Sequence, residues 1–166
     1  MVLMHRIFVL VVALFCVNAY ADSGKVIGGA PYEIPTWFTD SFLDVVEDAQ
    51  DALDENKTVL LYFHLDGCPY CDAMLAQNFN QGDNLNFIKQ HFSVIAVNIK
   101  GSREITMSEA QSKSEKALSE MLEVKYTPTI IFLGEDGKQV FRTNGYRNVA
   151  AFRQVLEYVA SKSYKN

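Results

Sequence analysis

Apolar positions along the chain fall into two patterns, continuous runs and helical periods, which alternate from residue 36 to residue 161. Continuous runs rich in β-branched and aromatic residues predict strands that are buried on both faces, at residues 58–63, 93–99 and 130–133. Apolar residues spaced three and four positions apart predict amphipathic helices, over residues 36–53, 84–92, 116–123 and 149–161.

The connections between these elements predict how the sheet is assembled. Gly137 stands where a tight hairpin turn needs a positive φ, so residues 139–143 are expected to return as a strand. Residues 100–114 are polar, have no clear period and are interpreted as a loop or an insertion. Thr36 or Thr39 is expected to cap the first helix. Early strands that alternate with helices, followed by a late hairpin, predict an α/β fold whose mixed sheet of about four to five strands has helices on both faces.

The first 21 residues follow a different pattern, that of a secretory signal peptide. A basic pair ending at Arg6 precedes an apolar run over residues 7–17, and Ala19-Tyr20-Ala21 supplies a small-x-small ending. Cleavage is therefore expected after Ala21, in an exported, periplasmic protein. An uncleaved anchor is the alternative, but a transmembrane helix needs about 20 apolar residues and this run is shorter.

Composition and charge fit one globular domain behind this leader. Residues 22–35 are rich in glycine and proline and are expected to form an irregular lead-in to a single domain over residues 36–166. Apolar residues make up 49% of the chain, enough for a sizeable core. Cleavage would remove one charge, that of Arg6, and change the formal net charge from −5 to −6. The absence of a basic patch argues against nucleic acid or anionic lipid as a partner.

Cleavage would also remove Cys16, so that Cys68 and Cys71 are the two cysteines of the mature chain. A bridge across two intervening residues restricts the unfolded chain very little, which makes it a poor structural staple. The pair follows a predicted buried strand and begins a segment of good helix formers, where free backbone N–H groups favour a thiolate. This placement predicts Cys68 as the exposed nucleophile and Cys71, one turn further on, as the buried resolving thiol.

Other interpretations of the pair are less well supported. A C-x-x-C can be half of a zinc site, with His64 and His91 as further ligands, but a zinc ribbon normally supplies a second C-x-x-C and none is present. No metal is therefore expected. Taken singly, His64 and His91 are expected to be packed or solvated and Asp66 to form a turn, rather than to act in catalysis.

Together these motifs resemble the thioredoxin superfamily. A buried strand, Cys68-Pro69-Tyr70-Cys71 at the start of a helix, and Thr127-Pro128 before a later strand carry the likeness. The resemblance implies a thioredoxin fold, a reversible Cys68–Cys71 disulfide and a cis bond before Pro128. It further implies that Thr127, Pro128, Pro69 and Tyr70 face the substrate, with backbone groups of Thr127 holding a client chain like an added strand.

A closer likeness, over residues 35–162, is to the periplasmic SoxW-type thioredoxin-like proteins. It is carried by the segments PTWF at 35–38, SFLD at 41–44, DGCPYC at 66–71, NI at 98–99, TPT at 127–129 and NGY at 144–146. One position departs from cytosolic thioredoxin, because Tyr62 stands where that protein has a buried acid that assists proton transfer. The Pro-Tyr pair between the cysteines also matches glutaredoxins, but this likeness is confined to four residues.

These features predict an exported thiol-disulfide oxidoreductase that reduces or exchanges disulfides in client proteins. Its expected partners are disulfide-bearing clients and a membrane or soluble thiol reductant that resets the dithiol. No dissociable cofactor is expected, and the protein is expected to be a monomer. Two alternatives stay open at this point, a disulfide-donating oxidase and a binding or chaperone module in which the dithiol is incidental.

Overall fold

The computed structural model describes residues 33–41, 44–108 and 111–165. The predicted signal peptide, residues 22–32 of the lead-in and Phe42 of the predicted first helix lie outside this part of the chain. The helices are α1 (Val45–Asp54), α2 (Pro69–Met74), α3 (Gly82–His91), α4 (Glu115–Met121) and α5 (Val149–Ala160). The strands are β1 (Thr58–His64), β2 (Phe92–Asn98), β3 (Glu104–Ser108), β4 (Gln111–Ser114), β5 (Thr129–Leu133) and β6 (Gln139–Asn144). None of the described helices is long and apolar enough to cross a membrane.

The main sheet has four strands in the order β2-β1-β5-β6. β1 runs parallel to β2, while β5 is antiparallel to both β1 and β6. In this register Tyr62 of β1 lies opposite Ala96 of β2 and Ile130 of β5. The mixed sheet predicted from the sequence is therefore confirmed, with the strand that precedes the cysteines at its centre.

Side chains alternate across β1, so the sheet separates two apolar layers. One layer holds Leu60 and Tyr62 together with buried residues of α2, α3 and α5, among them Cys71, Met74, Ile88, Phe152, Leu156 and Val159. The other holds the remaining core positions of the strand together with residues of α1 and α4: Val59, Leu61, Phe63, Val45, Ala49, Ala52 and Leu118. Helices cover both faces of the sheet, as predicted, and the cysteines belong to the first layer.

The first helix begins later than the apolar spacing predicted. Neither Thr36 nor Thr39 caps it, because α1 starts at Val45 and Asp44 is its N-cap residue. The Asp44 carboxylate accepts hydrogen bonds from two backbone N–H groups of the first turn, at 3.0 and 3.1 Å. A side-chain acceptor of this kind satisfies N–H groups that have no partner within the helix.

The segment ahead of α1 packs on the core without being helical. Phe38 is buried, and the indole N–H of Trp37 donates to the carbonyl of Phe79 at 3.1 Å. The backbone N–H of Thr39 donates to the carbonyl of Val94 in β2 at 2.7 Å. The helical spacing of these aromatic residues was therefore misleading, because their backbone and side-chain groups are bound to other elements.

Residues 100–114 also differ from the prediction of a loop. They contain a two-stranded antiparallel sheet, β3 paired with β4, in which Ile105 is buried against the second apolar layer. The buried carboxylate of Glu115 holds this hairpin beside β2, accepting from the backbone N–H of Asn98 at 3.0 Å and from the Arg103 guanidinium at 2.6 Å. The apolar contact of Ile105 and this ion pair fix the hairpin in place. Its sequence can therefore be mostly polar, without a clear apolar period.

Candidate active site

The two cysteines lie where the central strand passes into a helix. β1 ends at His64, and the chain turns at Gly67, whose φ of 72° favours glycine. Cys68 is then the N-cap residue of α2, and Pro69 occupies the first helical position, where its missing N–H costs nothing. Cys68 and Cys71 form a disulfide with their Cα atoms 5.2 Å apart. The local sequence thus fixes both sulfurs at the carboxyl end of the sheet's central strand.

Polar groups surround the Cys68 sulfur. Its Sγ atom accepts from the backbone N–H of Cys71 at 3.2 Å and from the Thr127 hydroxyl at 3.3 Å. The carbonyl oxygen of Thr127 lies 3.6 Å from the same sulfur. Cys68 is 9% exposed and Cys71 only 2%. Cys68 is therefore the more accessible of the two cysteines, and two donors are in place to stabilise a thiolate there.

The loop that contains Thr127 is fixed over the disulfide. The Thr127–Pro128 peptide bond is cis, and Pro128 is buried directly ahead of β5. The carbonyl of Pro128 accepts from the backbone N–H of Gly145 at 2.7 Å, where a φ of 76° favours glycine. The Thr129 hydroxyl donates to the carbonyl of Tyr126 at 2.8 Å. These bonds position Thr127 against Cys68 although the two residues are 59 positions apart in the chain.

Tyr62 lies beneath the dithiol, on the face of β1 that carries the first apolar layer. Its hydroxyl donates to the carbonyl oxygen of Cys71 at 3.0 Å, and the side chain is fully buried. Burial, with a smaller effect of the Asp72 carboxylate, raises the pKa of Tyr62 far above its ordinary value. Tyr62 therefore supports the start of α2 and keeps its proton at neutral pH, so it does not replace a buried acid as a proton acceptor.

The two histidines considered as zinc ligands lie in different places. The His64 ring is near Asp66, with Nδ1 and Oδ1 separated by 3.9 Å, while the His91 ring packs on Phe87 at the end of α3. Asp66 accepts a hydrogen bond from the Asn98 amide at 3.2 Å. Among the described residues, no group of three or more His, Cys, Asp or Glu side chains is placed to hold a metal ion.

Two exposed tyrosines adjoin the residues of this site in the chain, and the sequence singled out only one of them as facing a client. Tyr70, between the cysteines, is 53% exposed, and Tyr126, next to Thr127, is 69% exposed. The ring of Tyr146 lies 6.5 Å from that of Tyr70. Large exposed aromatic side chains at one place mark contact surfaces. The position of Tyr126 directly before the Thr127-Pro128 pair was the signal that could have identified it.

Comparison with known proteins places these features in a family. A family model described as a thioredoxin-like domain matches residues 45–160. A thioredoxin-fold protein from Helicobacter pylori is 26% identical, with a TM-score of 0.58 over 72% of this chain and 86% of that one. A thioredoxin from Thermus thermophilus is also 26% identical, with a TM-score of 0.54 over 70% and 83% of the two chains. These matches confirm the predicted thioredoxin fold.

A curated relative extends the comparison beyond solved structures. A probable nucleoredoxin 3 from Oryza sativa subsp. japonica is 27% identical in an alignment of length 121 that covers 66% of this chain. The match covers 26% of the rice protein, so this chain spans about a quarter of that relative's length.

Proposed function

Because the chain belongs to the thioredoxin-like domain family, we propose that it is an exported thiol-disulfide oxidoreductase that reduces or exchanges disulfides in client proteins. The observation that carries the proposal is the Cys68–Cys71 disulfide at the start of α2, with Thr127 against its outer sulfur. The proposal needs no dissociable cofactor, since the two sulfurs carry the electrons.

The different exposures of the two sulfurs support separate roles. In the reduced protein the Cys68 thiolate attacks a client disulfide, forms a mixed disulfide and releases one client thiolate, which takes up a proton. The Cys71 thiolate then attacks the Cys68 sulfur, the bond from Cys68 to the client breaks, and the second client thiolate leaves. The client gains two electrons and the protein loses them as its bridge closes. A membrane or soluble dithiol reductant resets the pair.

The client is proposed to bind across Thr127 and the exposed tyrosines. Tyr70 and Tyr126 are exposed next in the chain to the residues that meet at the outer sulfur, and Thr127 and Pro128 form the loop ahead of β5. An extended client segment with apolar side chains next to its disulfide suits this surface, because aromatic rings bury large areas at low entropic cost. Pro69 and Tyr70 would contact the same segment from the start of α2.

Export and the SoxW-type likeness belong to this proposal. The charge, apolar run and small-x-small ending of residues 1–21 support cleavage after Ala21 and a periplasmic location. The motifs at residues 35–38, 66–71, 127–129 and 144–146 support the SoxW-type subgroup. A monomer that meets its clients transiently is the assembly that we propose.

Insulin reduction tests the activity directly. With a small dithiol as electron source, the wild type is expected to precipitate insulin chains well ahead of the uncatalysed reaction, while Cys68→Ser is expected to be no faster than buffer. Cys71→Ser is the matched variant, since it keeps the nucleophile and should trap a mixed disulfide that a gel resolves. Equal activity of Cys68→Ser and wild type would refute the enzyme and favour a binding module.

A further inference from the structure

A cleft of about 300 Å³ opens beside Cys71, the inner cysteine. Cys71 lines it together with His64, Asp66 and Asp72, and Glu33 lies at its rim. A cleft of this size whose lining includes carboxylates and an imidazole admits water, because a single water needs only about 10–15 Å³. Cys71 is otherwise almost completely buried, so this cleft is the route by which its proton can reach an acceptor.

Of the groups near Cys71, Tyr62 cannot accept that proton. Its hydroxyl already donates to the Cys71 carbonyl, and it stays protonated at neutral pH because it is buried. A proton acceptor must instead be a base that is unprotonated at working pH and lies within reach of Cys71, directly or through one water.

His64 is such a base, and it lines the same cleft as Cys71. Side chains two residues apart on a strand point to the same face, so His64 lies on the face that carries Tyr62 and Cys71. The rings of His64 and Tyr62 are nearly parallel, 12° apart in plane with their centroids 6.1 Å apart. The His64 side chain is only 13% exposed, yet it forms part of the cleft wall. It is therefore packed in place against Tyr62 and lines the same cleft as Cys71.

Burial keeps His64 neutral although two carboxylates lie nearby. Burial lowers the pKa of His64 below its ordinary value, and the carboxylates of Asp66 and Glu115 only partly oppose this. The Arg103 guanidinium acts in the same direction as burial. Asp72 and Glu33 face the same cleft from α2 and from the segment ahead of α1. A neutral imidazole at pH 7 has a free nitrogen lone pair that can take a proton.

We propose that His64 accepts the proton of Cys71, through water in this cleft, when Cys71 attacks the mixed disulfide. This inference rests on the proposed function, whose second step it describes. The Cys71 S–H bond breaks, its proton passes to the imidazole, and the Cys71 thiolate forms the bond to the Cys68 sulfur. The bond from Cys68 to the client breaks, and the leaving client thiolate takes the proton that the imidazolium then gives up. The client disulfide is the oxidant, so no further reagent is needed.

Reaction of the reduced protein with dithiobis(nitrobenzoate) separates the two steps in one stopped-flow trace. The first coloured thiolate appears when Cys68 attacks the reagent, and the second appears when Cys71 closes the bridge. In His64→Gln, which keeps hydrogen-bonding groups but cannot take the proton, we expect the second phase to slow by roughly ten- to a hundredfold at about pH 7. The first phase should change less than about twofold, since the inner sulfur takes no part in it. His91→Gln is the matched control and should behave as wild type.

The pH profile separates a proton acceptor from a residue that only packs. The wild-type second phase should rise with the titration of His64, measured independently by NMR. In His64→Gln that inflection should be lost, and the rate should recover toward wild type at high pH, where Cys71 ionises without help. An unchanged second phase in His64→Gln, or an NMR titration that does not match the wild-type inflection, would overturn the role of His64. A slow second phase in Asp72→Asn with a normal one in His64→Gln would overturn it in favour of the carboxylate.

These outcomes are distinct from a failure of the proposed function. If wild-type Cys68 shows no first phase beyond that of a free thiol and insulin is not reduced, the oxidoreductase itself is refuted. If both phases are present and insulin is reduced, only the identity of the proton acceptor is in question. The wild-type comparison of kinetics with NMR needs no variant, so it decides the matter even where a substitution at His64 prevents folding.

Discussion

At the scale of single residues, the Thr127 hydroxyl is the side-chain group that contacts the outer sulfur. It donates to the Cys68 sulfur at 3.3 Å, and a donor to this atom favours its charged form over its neutral form. Thr127→Val removes the hydroxyl and preserves the branched shape. We expect alkylation of reduced Cys68 by iodoacetamide near neutral pH to slow by about three- to tenfold, as the loss of one such hydrogen bond implies.

Thr127→Ser is the control for this prediction, because it keeps the hydroxyl and loses only a methyl group. It should alkylate at close to the wild-type rate, and the insulin-reducing activities of the two variants should follow the same order. Equal rates for the Val and Ser variants would show that the contact with Cys68 has no effect on the reactivity of the thiol.

The sequence predicted site residues that lie close together in the chain. It missed those that only the fold brings together. The sequence placed Cys68 and Cys71 in one turn at the start of a helix, which the structure shows, but it predicted an exposed Cys68, whereas both residues are buried, at 9% and 2% exposure. Thr127 was expected beside them only through family resemblance. The cleft that joins His64 to Cys71 could not be predicted, since it depends on how far a strand end lies from the helix that follows it.

At the scale of elements, the Glu115 carboxylate joins the start of α4 to β2 and to the β3–β4 hairpin. Burial by itself raises the pKa of Glu115, but hydrogen bonds from Arg103 and the Asn98 N–H lower it more, so the pKa falls below its ordinary 4.5. A carboxyl group with a lowered pKa in the folded state stabilises the fold above its unfolded pKa. That stabilisation is lost as the pH falls through the folded-state pKa.

Urea unfolding of wild type and Glu115→Gln across the acid range tests this effect. The wild type should be more stable by about 1–3 kcal/mol near neutral pH, and the difference should shrink as the pH falls below 4.5. Glu120→Gln on the same helix is the matched control, because its carboxylate is 69% exposed and pairs with Lys116 at 3.9 Å. A Glu115→Gln difference that does not vary with pH would contradict the ion pair as the cause.

The sequence predicted the elements that have a local apolar pattern and missed the hairpin that Glu115 fixes. The strands β1, β2 and β5 are almost continuously apolar, and such a run is typical of a strand that is buried on both faces. The β3–β4 hairpin buries Ile105 and is fixed by a carboxylate from the following helix, so no local period reveals it. The helix predicted to start at Thr36 failed for the opposite reason. The aromatic residues of this segment have helical spacing, but those that the structure describes pack against the core without forming a helix.

At the scale of the whole molecule, the charges around the dithiol bear on the direction of electron flow. Three carboxylates, those of Glu33, Asp66 and Asp72, lie along the cleft beside Cys71, and the described lining residues include no Lys or Arg. Negative charges oppose a thiolate and so disfavour the reduced, ionised pair, whereas a strong oxidant is one whose reduced form is stabilised. We therefore expect this arrangement to favour closing of the bridge, the direction of the proposed reductase.

The stability of the two redox forms measures this preference. In a thermodynamic cycle, the difference in unfolding free energy between oxidised and reduced protein equals the extra tendency of the folded chain to form its disulfide. We expect the oxidised form to be more stable by about 2 kcal/mol, which corresponds to a potential about 40 mV more reducing than that of the unfolded pair. Urea titrations of both forms give the value, with Cys68→Ser showing the same stability with and without reductant. A more stable reduced form would reverse the assignment and make the protein a disulfide donor, because the folded chain would then release its bridge to clients rather than close it.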